Sequence, residues 1–105
     1  MLTSDDITRD YRASLLRFLP RRDEAALHTG YELGRRAVVD GVSLLELVEV
    51  HHQVLIEILL ETSKDEVSRV ATVSAEFLIE VLATYDMSQR RPHDPAAAPG
   101  TDQTT

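Results

Sequence analysis

The sequence predicts an all-α protein: a four-helix bundle-like domain that completes its core by forming a homodimer with a shared helical core. Three observations lead there. The composition is rich in Leu, Val, Ala and Glu, with no cysteine, no tryptophan, two phenylalanines and three tyrosines, a profile of helices rather than sheets. Apolar residues recur at three- and four-residue spacing in four separate segments. Those segments are divided by helix punctuation, namely Pro20, Gly41 and the hydroxyls of Ser43 and Ser63. A chain of 105 residues has room for one domain with a modest core, and small helical chains often finish burying their apolar surface by self-association.

The first helix is expected from about Asp5 to Leu19. Thr3 and Ser4 offer hydroxyl caps, and Asp5 and Asp6 place negative charge at the helix N-terminus. Ile7, Tyr11, Leu15 and Phe18 form one apolar stripe, and Pro20, which lacks an N–H and restricts Leu19, is expected to halt the run.

The second helix begins near Asp23 and stops at Gly41, placed for a left-handed C-terminal cap. Its stripe reads Leu27, Gly30, Tyr31, Gly34, Ala37, Val38. Each glycine inside a soluble helix costs about 1 kcal/mol against alanine. Either another helix approaches closely at Gly30 and Gly34, or the glycines tolerate a crowded neighbour such as Tyr31.

Ser43 and Glu46 form a capping box that opens the third helix. Its main stripe is Leu44, Leu47, Val48, His51, Val54, Leu55, Ile58 and Leu59. Leu45, Val50, Ile56 and Leu60 fall outside that arc, and a helix apolar on more than one face is buried on more than one side. These four residues are therefore the expected dimer interface.

Ser63 and Glu66 repeat the capping-box spacing, so the fourth helix is expected from about Lys64 or Asp65 to about Arg90. Its core stripe is Val67, Val70, Ala71, Ser74, Phe77, Leu78, Val81, Leu82 and Tyr85. Ile79, Ala83 and Met87 form a second patch on the far side, interleaved with Glu76 and Glu80, and this patch is a candidate contact surface. The helical domain thus spans residues 4–90. From Pro92 the three prolines and polar residues read as a disordered Pro/Ala-rich tail or linker over 91–105.

Charge and motifs narrow the function. A formal net charge of −7 opposes a role in holding phosphate backbones, so no nucleic-acid partner is expected. The N-terminus lacks the basic start and apolar run of a secretory signal, and no stretch is long and apolar enough to span a bilayer; a soluble cytoplasmic protein with no membrane partner is expected. Without cysteine there is neither a disulfide framework nor a thiol nucleophile. No serine sits in a glycine-rich elbow, and no loop cradles phosphates, because Gly30 and Gly34 lie within a helix. No catalytic residue or cofactor is expected.

Four histidines remain to be weighed, three of them within helices. Glu49 and His52 have the Glu-x-x-His spacing of di-metal carboxylate bundles, but those sites need two such motifs plus further carboxylates. His51 is expected as a hydrogen-bonded core histidine, and His52 as an interface or surface one. His28, four residues after Glu24, is half of a surface metal pair or a pH-sensitive contact. A small metal- or ligand-binding protein using His28, His51 and His52 is the alternative to a protein-interaction domain.

Four segments in order carry a resemblance. Tyr11 to Leu19 (YRASLLRFL), Leu33-Gly34-Arg35-Arg36-Ala37, Val50-His51-His52-Gln53-Val54-Leu55, and Phe77-Leu78-Ile79-Glu80-Val81-Leu82 with Tyr85 and Met87 resemble the N-terminal regulatory domain of the RsbU family. These are phosphoserine phosphatases that control general-stress sigma factors. The resemblance implies a dimeric, non-catalytic helical platform bound by a switch kinase of the RsbT type, and it implies a partner surface on the second helix and the C-terminal part of the fourth. Here that surface maps to His28, Tyr31, Ile79 and Ala83, with a histidine at 28 where relatives can carry a bulky aromatic. The chain departs from the full-length pattern in ending soon after the fourth helix, without a phosphatase domain or its metal-binding aspartates.

Overall fold

The structure is a computed structural model and describes residues 4–90. It contains four α-helices, α1 (Ser4–Arg21), α2 (Glu24–Val39), α3 (Leu44–Leu60) and α4 (Val67–Arg90), with a 3₁₀ turn over Lys64–Glu66 ahead of α4. There is no strand among the described residues. The expected tail over 91–105 and the Thr3 cap lie outside the described residues.

The caps explain most of the boundaries. Asp23 accepts the Ala26 backbone N–H at 2.8 Å and opens α2, and Ser43 Oγ accepts the Glu46 N–H at 3.0 Å and opens α3. At the C-terminus of α2, Gly41 has φ 76°. The Val42 N–H donates to the Ala37 carbonyl at 2.9 Å and the Gly41 N–H to that of Val38 at 3.2 Å. This paired closure needs the left-handed residue that glycine supplies.

Two boundaries differ from expectation. Pro20 does not halt α1, which continues to Arg21. A proline in the last turn forfeits a single hydrogen bond, and the carbonyl left over, that of Leu16, belongs to an exposed residue that water can reach. The chain instead turns at Arg22, a non-glycine residue with φ 53°, whose N–H donates to Phe18 O at 2.7 Å. Ser63 makes no side-chain cap, because the 3₁₀ turn spends the Glu66 N–H on the Ser63 backbone carbonyl at 3.0 Å.

Gly30 faces Phe77 and Val81 while Gly34 faces Val81, Thr84 and Tyr85, so α2 and α4 run parallel. Helix α2 packs most extensively on α4, α1 touches all three others, and α2 and α3 do not pack side by side. Glycine sets this arrangement. A Cβ built on Gly34 would lie 2.6 Å from the Val81 carbonyl oxygen and 2.9 Å from Thr84 Cβ, and one on Gly30 would lie 3.0 Å from the Phe77 ring. Of the two readings open from sequence, close helix approach is the one realised.

Tyr11, Leu15, Leu33, Leu47, Val54, Val73, Phe77 and Val81 form the centre of the core. The tight α2/α4 contact rotates both helices relative to the expected stripes. On α2 the buried face is Ala26, Gly30, Leu33, Gly34 and Ala37, with Tyr31 exposed at its edge. On α4, Val73 and Thr84 are buried, while Val67 and Ala71 are exposed. On α3, Val50 lies in this core at 5% exposure, inside the arc from which its periodicity had excluded it.

Candidate functional site

His51 is a core residue, 8% exposed. Its Nδ1 lies 2.6 Å from the Tyr11 hydroxyl, and the two rings meet edge to face. Burial pushes the Tyr11 phenol well above its ordinary value. Desolvation first, and the neighbouring His52 second, push the His51 imidazole below its ordinary value. Both groups are therefore neutral near pH 7, and the imidazole tautomer sets which of the hydroxyl and Nδ1 donates. His52 points outward and is exposed. His28 is exposed on α2, stacked on Tyr31 with centroids 5.4 Å apart and 3.3 Å from Glu32. The three histidines are not brought together, and the described residues contain no group of three or more His, Asp or Glu side chains that could hold a metal ion.

What the bundle does present is two apolar faces. The first is the outer side of α3, where Leu45 (67% exposed), Val48, Ile56 (44%) and Leu60 (81%) stand free around His52. Three of the four expected interface residues lie on this face, and Val50 does not.

The second runs between α2 and α4, where His28, Tyr31 and Ala83 of the residues expected for partner contact line concavities and Ile79 lines neither. His28 and Tyr31 lie on its α2 side, Ile79 and Ala83 on its α4 side, all exposed. A groove of about 270 Å³ is lined by Tyr31, Arg35, Glu80, Ala83, Thr84 and Met87, with Ser88 at its end. A shallower concavity continues past Glu24, Leu27 and His28, sharing Tyr31 and Glu80 with it. Arg35 stacks its guanidinium 5.8 Å from the Tyr31 ring centre. Arg35 and Thr84 were missing from the expected site, whereas Met87 belongs to the contact patch expected on the fourth helix. Arg35 follows Tyr31 by four residues, a helical-neighbour spacing that would have found it.

Ion pairs hold the frame around these faces. Arg22 pairs with both oxygens of Glu76, at 2.8 and 2.5 Å. That pairing holds the Glu76 carboxyl below its ordinary value and the Arg22 guanidinium above its own. Arg69 donates to the Leu19 carbonyl at 3.0 Å, Arg12 meets Glu57 at 2.7 Å across α1 and α3, and the Tyr85 hydroxyl donates to Val42 O at 2.8 Å, tying α4 to the turn before α3.

Compared with known protein families, the sequence matches the one described as "Phosphoserine phosphatase RsbU, N-terminal domain" over residues 9–88, nearly all of the bundle. The chain belongs to the RsbU N-terminal domain family. No curated protein and no solved structure matches it at a significant level. Membership accords with an all-helical regulatory domain, and both apolar faces of this RsbU_N domain fall within the matched residues. No helix among its described residues is long and apolar enough to cross a membrane.

Proposed function

We propose that this RsbU_N domain is a non-catalytic regulatory module of a partner-switching pathway, one that dimerises through the outer face of α3 and docks an RsbT-like switch kinase on the α2/α4 face. The observation that carries this reading is that the bundle closes its own core and still leaves two separate apolar faces uncovered. Family membership gives those faces a regulatory context. Large apolar residues grouped on one face indicate a contact surface more often than residues scattered singly.

The dimer would hold two α4 helices in a fixed relation, and a partner spanning α2 and α4 would bias how those helices leave the domain. Such a partner shifts the equilibrium only as far as it prefers one exit geometry over the other. A phosphatase response would reside in a domain outside this bundle.

Light scattering tests the first half. The wild-type chain is expected at twice the monomer mass, and Leu60→Asp or Ile56→Asp at the monomer mass with helical circular dichroism retained. A monomeric wild type at micromolar concentration would remove the dimer. Calorimetric titration with an RsbT-type kinase tests the second half, with Ala83→Arg expected to abolish binding while leaving the mass unchanged.

A further inference from the structure

The α2/α4 face carries a charge pattern as well as an apolar one, and the pattern selects among partners. Along the parallel helices, the groove floor is apolar or aromatic at Tyr31, Ala83 and Met87, with Ile79 exposed beyond it. The charged groups on its walls are not in equivalent states. Arg35 is stacked against the Tyr31 ring, while Glu76, which lines neither concavity, is held by Arg22 in a two-point pair. Glu24 and Glu80 line the shallower concavity beside Tyr31 with no arginine or lysine in its lining, where His28 lies 3.3 Å from Glu32; Glu80 also faces the deeper groove that Arg35 lines. The face therefore presents an apolar track with Arg35 and Glu80 on the walls of its deeper part and Glu24 and Glu80, without arginine or lysine, along its shallower part, on a chain of net charge −7.

We infer that the α2/α4 groove selects an amphipathic partner helix with a basic rim: apolar side chains seated on Tyr31, Ala83 and Met87, and lysine or arginine side chains reaching Glu24 and Glu80. This rests on the reading of that face as a docking surface and adds the chemistry of the partner. An acidic rim would set like charges together as water leaves the groove, which costs affinity. A basic rim supplies counter-charges to Glu24 and Glu80 and raises the rate of encounter. An apolar helix without charge preference would leave the carboxylates partly desolvated and unpaired.

Two synthetic helical peptides with the same leucine face, one flanked by lysines and one by glutamates, provide the probe. Each is titrated into the ¹⁵N-labelled full chain, with binding mapped by amide shifts. The lysine peptide is expected to perturb residues around Tyr31, Ala83 and Met87 and to bind at least about tenfold more tightly than the glutamate peptide. The preference should shrink in 0.5 M salt and reverse in the Glu24→Lys/Glu80→Lys double variant, whose fold is checked by circular dichroism. Equal affinity of the two peptides in the groove, with Ala83→Arg abolishing both, would overturn the charge selection and leave the docking surface standing. Shifts confined to α3, or no binding by either peptide, would overturn the inference, and insensitivity of kinase binding to Ala83→Arg would remove the docking surface as well.

Discussion

A Cβ on Gly34 would stand 2.6 Å from the carbonyl oxygen of Val81, a separation that no real side chain occupies. That contact fixes the distance between α2 and α4 and, through it, the shape of the groove between them. Because the obstructing atom is backbone, it cannot swing aside. Gly34→Ala is expected to destabilise the fold by about 2 kcal/mol, since overpacking of a tight contact outweighs the gain in helix propensity. Gly30→Ala meets only the Phe77 ring edge and a Val81 methyl and should stay within about 1 kcal/mol of wild type. Urea unfolding of the two variants checks this, and equal midpoints would show that α2 and α4 are not in close contact.

Ser74 is completely buried, and its Oγ has no hydrogen-bond partner among the described residues. Replacing it by alanine removes an unpaired buried hydroxyl and adds helix propensity. Ser74→Ala should therefore stabilise the chain by about 1 kcal/mol. A loss of stability in thermal unfolding would mean that the hydroxyl has a partner in solution.

Burial of His51 first, and the neighbouring His52 second, make stability depend on pH. The folded state holds the imidazole below its ordinary value, so the unfolded chain binds the proton more readily. The contribution is complete above the unfolded histidine pKa of about 6.5 and is lost as pH falls below it toward the folded value. The melting temperature should drop between pH 7 and pH 5, and the drop should be smaller in His51→Gln. Tyr11→Phe leaves Nδ1 without its buried hydrogen-bond partner and should cost about 1–2 kcal/mol at pH 7.5. A melting temperature that fails to fall over that range would contradict the depressed titration.

Arg22 occupies the left-handed region while its side chain pairs with Glu76. Glycine accepts that backbone without strain but surrenders the pair, whereas valine surrenders the pair and suffers the strain. Arg22→Gly should melt close to the wild-type temperature and Arg22→Val clearly lower. Similar losses in both would assign the stabilisation to the ion pair.

Two apolar positions on the same helix should behave oppositely. Val50→Asp places a carboxylate in the core and is expected to unfold the chain, whereas Leu60→Asp, at a site 81% exposed, should keep the helical spectrum. A folded Val50→Asp chain would place Val50 outside the core.

The sequence by itself determined the class, the four helices, two of their caps and the identity of His51 as a core residue. Those properties depend on local spacing and capping chemistry, which neighbouring residues carry with them. Two glycines four residues apart already marked where a helix would come close. Only the tertiary structure decided which helix came, and with that the rotation of each apolar stripe. Val50 moved into the core, Tyr31 moved to its edge, and Val73 and Thr84 replaced Val67 and Ala71. Periodicity fixes a face only to within roughly one residue's 100° step, and the contact between Gly34 and Val81 resolves that ambiguity because backbone against backbone permits a single register. The groove has the same origin. Tyr31, Arg35, Glu80 and Met87 are separated by up to 56 positions in sequence, and they line one surface because two glycines let parallel helices meet.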